Sequence, residues 1–82
     1  MERGDIFENV QRVFSEHLSI RSLTEESHLI RDLSLDSLQQ LTLVVELENR
    51  FRISFEEEDE IGIETVGDIV DLLARRLAPR VR

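Results

Sequence analysis

Leu33-Ser34-Leu35-Asp36-Ser37-Leu38 is a loop that delivers a serine to the start of a long apolar-periodic segment. Asp36 suits a helix cap, because its carboxylate accepts from first-turn N–H groups that have no partner inside the helix. Gln39 stands three residues later, where a reciprocal capping box places Glu or Gln. Ser37 then falls at the first helical position. Its hydroxyl is expected at the surface, beside the positive end of the helix dipole, where an attached phosphate is favoured.

The helix so begun runs to about Phe51. Leu43, Leu47 and Phe51 recur at four-residue steps with Val44 beside them, and this is the expected core side. Leu38, Leu41 and Val45 form a second stripe. A helix with two apolar stripes is either widely buried or keeps one for a partner. Upstream, the periodicity breaks from Ser19 to Asp36, and Ser22, Thr24, Glu25, Glu26 and Ser27 read as loop. Leu29, Ile30 and Leu33 require part of this connection to pack down. A loop of this length in a small domain is often functional.

Before that loop, Asp5 with Glu8 has the capping-box pattern, and Phe7, Val10, Phe14 and Leu18 give one stripe of a helix over Asp5 to Leu18, widened by Ile6 and Val13. After the central helix, Ser54 with Glu57 predicts a short helix through the acidic run Glu56 to Glu60, with Gly62 as its stop. Thr65 with Asp68 starts the last helix, whose buried face is Val66, Ile69, Val70, Leu73 and Leu77. Pro79 ends it, and Arg75 and Arg76 suit its negative end. No strand signal of any strength interrupts these helices.

The 82 residues make one small domain with a thin core. A net charge of −8 argues against nucleic-acid and anionic-membrane binding and favours partners with basic patches. The absence of cysteine excludes disulfides and thiolate metal sites. No segment approaches the roughly 20 apolar residues of a membrane span, and a cytoplasmic domain is expected.

Asp36-Ser37-Leu38, preceded by Asp32-Leu33 and followed by a helix ending in Leu47-Glu48-Asn49-Arg50-Phe51, resembles the acyl carrier proteins over nearly the whole chain. Alone the tripeptide is weak, arising by chance in about one chain of this size in thirty; its weight comes from the loop before it and the helix after it. The resemblance implies an all-α fold, a small four-helix bundle with three long helices, a short one and a long first loop, spanning residues 1–82 as a single carrier domain. It implies that Ser37 is esterified with phosphopantetheine from coenzyme A by a separate phosphopantetheinyl transferase. Asp36 would then serve both as cap and in transferase recognition, facing that enzyme's magnesium ion. It further implies a monomer that carries acyl groups as thioesters, without catalysis of its own, between acyl-loading and acyl-transferring enzymes. Leu38, Leu41, Val45, Glu46 and Glu48 become the docking candidates. Val44, Leu47, Ile61, Ile63 and Ile69 become the candidate lining of an acyl pocket.

The residues agree that Ser37 is an attachment point and not a nucleophile. A serine hydroxyl needs a positioned base, and the only histidines, His17 and His28, stand in no triad pattern and near no Gly-x-Ser-x-Gly elbow. The run Glu56 to Glu60 lacks the spaced ligands and internal glycine of a calcium loop and reads as a solvated face, so no metal site is assigned. Fatty-acid-synthesis members usually carry acids after the serine; here those positions read Gln39, Thr42 and Asn49, and Arg50 and Arg52 add positive charge. The usual glycine two residues before the aspartate is replaced by Ser34. These departures point to a specialised carrier, in fatty-acid, polyketide or related biosynthesis. An aminoacyl or aryl carrier of a nonribosomal-peptide-like pathway remains the alternative within the class. Outside the class the alternative is an unmodified acidic helical adaptor.

Overall fold

A computed structural model describes residues 2–78. It holds α1 (Arg3–His17), α2 (Ser37–Phe51), α3 (Glu57–Ile61) and α4 (Val66–Leu77), with no strand among the described residues. Helix α1 packs against both α2 and α4. That two-sided packing explains why its buried face is broad. Ile6, Val10, Val13 and Phe14 are all fully buried, whereas Phe7 is only partly so. They meet Leu43, Leu47 and Phe51 from α2 and Val66, Ile69, Val70 and Leu73 from α4. Leu77 packs at the edge of this core. The predicted stop at Pro79 lies outside the described residues.

Two helix starts are as the sequence predicts. Asp36 caps α2 and Thr65 caps α4, each through a complete capping box. The other two start elsewhere. Helix α1 begins at Arg3, and Asp5 sits inside its first turn, its carboxylate accepting from the Glu2 N–H at 3.1 Å. Asp5 serves as the partner of an earlier cap because Glu2 and Asp5 have the same three-residue spacing as Asp5 and Glu8. Helix α3 is likewise capped at Glu56, whose N–H donates to Asp59 at 2.9 Å, and not at Ser54. The Ser54 carbonyl is engaged with Arg76 from α4, at 2.6 Å, and the same guanidinium reaches Asp59. Gly62 does follow the last turn of α3, in a right-handed conformation that any residue adopts.

The long connection between α1 and α2 is tied down by backbone bonds. Leu29 N–H donates to the Glu64 carbonyl (2.9 Å), Val66 N–H to Ser27 (3.0 Å) and Gly67 N–H to Glu25 (2.8 Å). The free N–H groups at the start of α4 thus find partners in the loop. Gly67 suits this close approach, since a Cβ there would lie 3.0 Å from the Glu25 carbonyl oxygen and push it back. Arg3 adds side-chain clamps to Glu25 and Asp71, and this pairing raises its already high pKa. Leu23, Leu29 and Leu35 of the loop are buried, while Ile30 is exposed.

Candidate functional site: a serine on the rim of an apolar cavity

Residues 28–35 fold into a tight turn that aims the chain at α2. The Asp32 carboxylate accepts from the His28 N–H at 2.7 Å, and the Leu35 N–H reaches back to the Leu29 carbonyl at 3.0 Å. The reversal passes through Ser34 at φ 57, in the left-handed region. A side chain costs energy there and glycine does not, so Ser34 carries a local conformational cost.

Asp36 follows in extended conformation. Its Oδ1 accepts from the Gln39 N–H at 2.8 Å, and its own N–H donates to Gln39 Oε1 at 3.0 Å. The Gln40 side-chain amide donates to the Leu35 carbonyl at 3.3 Å. The backbone on both sides of Ser37 is therefore held by side chains that the sequence itself supplies. Ser37, the first residue of α2, is exposed.

Below Ser37 opens a cavity of about 260 Å³. Val44, Leu47, Ile63 and Ile69 line it, four of the five residues expected from the sequence. Ser37 stands on its wall, together with Gln40, Leu41 and Glu60. Gln40 was not among the expected residues, yet its signal was present: positions 37, 40, 44 and 47 recur at helical spacing on one face of α2. Leu29, from the loop, carried no comparable signal. Ile61 does not belong to the cavity. It is 81% exposed, because α3 buries none of its residues and Ile63, beyond Gly62, takes the inward position instead.

The docking candidates divide. Leu38, Leu41 and Val45 share an outer face of α2 and are 70%, 60% and 41% exposed. Glu46 instead lies 3.3 Å from Nε2 of His17 on α1. Glu48 accepts the Phe55 N–H at 2.7 Å and so holds the segment leading into α3. In the acidic run, Asp59 is engaged with Arg76, while Glu57, Glu58 and Glu60 are exposed. No cluster of three or more acidic, histidine or cysteine side chains among the described residues is arranged to hold a metal ion.

The arrangement fits a phosphodiester on Ser37: an exposed hydroxyl, at a helix start that favours anions, with no acidic side chain in the first turn. Residues 8–73 match the family model of the phosphopantetheine attachment site. The chain belongs to the acyl carrier protein family. It is 41% identical to an acyl carrier protein of Saccharopolyspora erythraea, covering 95% of this chain and 87% of that one. It is 39% identical to an acyl carrier protein of Thermotoga maritima, covering 92% of this chain and 95% of that one. A solved structure from Mycobacterium tuberculosis, assigned as an acyl carrier protein, superposes with a TM-score of 0.70 at 32% identity. The match covers 92% of this chain and 97% of that one. The protein is thus a phosphopantetheine-dependent acyl carrier and not an enzyme; such carriers work with a phosphopantetheinyl transferase and acyl-handling enzymes. No helix among the described residues is long and apolar enough to cross a membrane.

Proposed function

We propose that Ser37 is the attachment point, and that the carried acyl chain enters the cavity beside it as one single-domain, monomeric carrier. The observation that carries this reading is the position of Ser37, exposed at the start of α2 and on the wall of the cavity at once. An arm on its oxygen needs no rearrangement of the core to turn inward. An engineered cavity of about 150 Å³ elsewhere accommodates benzene, so the 260 Å³ here has room for a short acyl chain. The arm supplies a terminal thiol that holds the acyl group as a reactive thioester. The chain's own contribution is positional: Asp36 and Gln39 fix the helix start, and Val44, Leu47, Ile63 and Ile69 keep water from the hydrocarbon. A modification that consumes coenzyme A supports a cytoplasmic setting.

Leu38, Leu41 and Val45 form the docking surface in this reading. With Glu46 beside His17 and Glu48 turned to Phe55, the α2 face is largely neutral. The basic patches of partner enzymes then meet Glu57, Glu58 and Glu60 on α3, the last of which lines the cavity with Ser37. A neutral α2 face supports a specialised acyl carrier with its own loading enzyme.

Incubation with coenzyme A, magnesium and a broad-specificity phosphopantetheinyl transferase tests the attachment. The chain has no cysteine, so any protein-bound thiol reports the arm. One thiol per chain is expected by intact mass and thiol assay, and none after Ser37→Ala. A folded wild type left unmodified by several transferases would sink the proposal.

A further inference from the structure

A second cavity, of about 170 Å³, adjoins the first and is lined by His28, Leu29, Ile30, Gln40, Ile63 and Glu64. Leu29, Gln40 and Ile63 face both. The two spaces differ in chemistry. The apolar residues of the smaller one come with three polar side chains whose remaining hydrogen-bonding capacity can be read off.

His28 Nδ1 accepts from two backbone N–H groups, Ile30 at 3.2 Å and Arg31 at 3.1 Å. An imidazole whose Nδ1 accepts carries its proton on Nε2, which is then a donor. Among the described residues Nε2 donates to no protein group. Gln40 commits one amide N–H to the Leu35 carbonyl, which leaves its second N–H as a donor and Oε1 as an acceptor. The Glu64 backbone is engaged on both sides, with Asp68 and Leu29, and its carboxylate adds a second acceptor. The residues that line this space, otherwise walled by Leu29, Ile30 and Ile63, therefore carry two uncommitted donors and two acceptors.

We propose that this second cavity is a side branch of the acyl site that receives a hydroxyl group on the carried chain, so that the preferred cargo is a hydroxyacyl group. The proposal rests on the reading that the chain on Ser37 occupies the larger cavity. A hydroxyl both donates and accepts, and matches the set His28, Gln40 and Glu64. A saturated chain strips water from these groups and returns no hydrogen bond, which is unfavourable. A keto oxygen can answer the donors but has no hydrogen to give the two acceptors.

The test loads the protein, through the transferase, with octanoyl, β-oxooctanoyl and positionally varied hydroxyoctanoyl arms from the corresponding coenzyme A thioesters. The readouts are the melting temperature and the NMR signals of His28 Nε2 and of the Leu47 and Ile69 methyls. At least one hydroxyoctanoyl form is expected to melt roughly 4–8 °C above the octanoyl form, the gain of one net hydrogen bond in a domain of this size, with a shift of the His28 signal. His28→Asn keeps an acceptor for the Ile30 and Arg31 N–H groups and removes the Nε2 donor; in it the gain disappears while the octanoyl form melts as far above the unloaded protein as before. Equal melting of all cargoes, a silent His28, or a gain that survives His28→Asn overturns the side branch. If the Leu47 and Ile69 methyls move with octanoyl while His28 stays silent throughout, the side branch alone is wrong. If those methyls move with no cargo, both readings fall.

Discussion

The side of the molecule built on α1, α2 and α4 and the side built on the first loop and α3 solve the same problem differently. On the first, side chains interdigitate, and α1 alone contributes four fully buried ones. On the second, α3 buries none and is held by polar bonds at its middle and just before its start, Arg76 to Asp59 and to the Ser54 carbonyl, and Glu48 to the Phe55 N–H. The cavity under Ser37 lies between the two sides: α2 and Ile69 of α4 wall it from the first, and Leu29, Glu60 and Ile63 from the second. A carrier that must shelter a chain and later release it is served by one rigid side and one that yields.

Substitutions can break that contrast. Phe14→Ala should cost about 3–5 kcal/mol by denaturant unfolding, a large share of the stability of a domain this small, whereas Ile61→Ala on α3 should stay within about 0.5 kcal/mol. Similar losses at the two positions would refute the contrast. Gly67→Ala strikes the junction between the sides. The Glu25 carbonyl is backbone and has to retreat from the new Cβ, so a loss of about 1–2 kcal/mol is expected, with faster amide exchange at Leu29 and unchanged exchange in α1.

Asp68 ties the cavity side to α4 by a charge. Its carboxylate accepts from the Glu64 and Thr65 N–H groups, both at 3.0 Å. The Glu64 N–H is the main reason that its pKa is lowered, with the Thr65 N–H and hydroxyl adding to the shift. A lowered folded-state pKa contributes stability above the unfolded value of about 3.9 and loses it as the pH falls through the folded one. Asp68→Asn should therefore cost about 1 kcal/mol at neutral pH, and the gap to wild type should close below about pH 4 in thermal melts; a gap that persists there would contradict the charge-based account. The smallest expected effect is a gain. Ser34→Gly removes the left-handed strain before Asp36 and should add about 0.5–1 kcal/mol, leaving the transferase reaction at Ser37 intact.

The sequence revealed most where structure is local. Asp36 with Gln39 and Thr65 with Asp68 are capping boxes that no distant residue contests, and both helices start where they indicate. Asp5 and Ser54 were misleading because each has a rival cap two or three residues away. For α3, Arg76 from α4 engages the Ser54 carbonyl and Asp59 together and supports the later start. The cavity was half legible. Its helical wall follows from spacing along α2, but Leu29 enters through a backbone bond to Glu64, and backbone bonds leave no side-chain signature. Ile61 and Ile63 look equivalent in sequence; only the turn at Gly62 separates an exposed position from a lining one. Leu38, Leu41 and Val45 read correctly as a second stripe, while the pairing of Glu46 with His17 depended on how α1 lies against α2.

The bonds from Leu29 to Glu64, from Val66 to Ser27 and from Gly67 to Glu25 also set an order in time. A ribosome makes Ser37 well before residues 64–67 exist. Until those residues emerge, the loop that presents the serine has only its own internal backbone bonds, and the cavity lacks the wall that Ile63 and Ile69 supply. The finished surface around Ser37 thus forms only once α4 has docked.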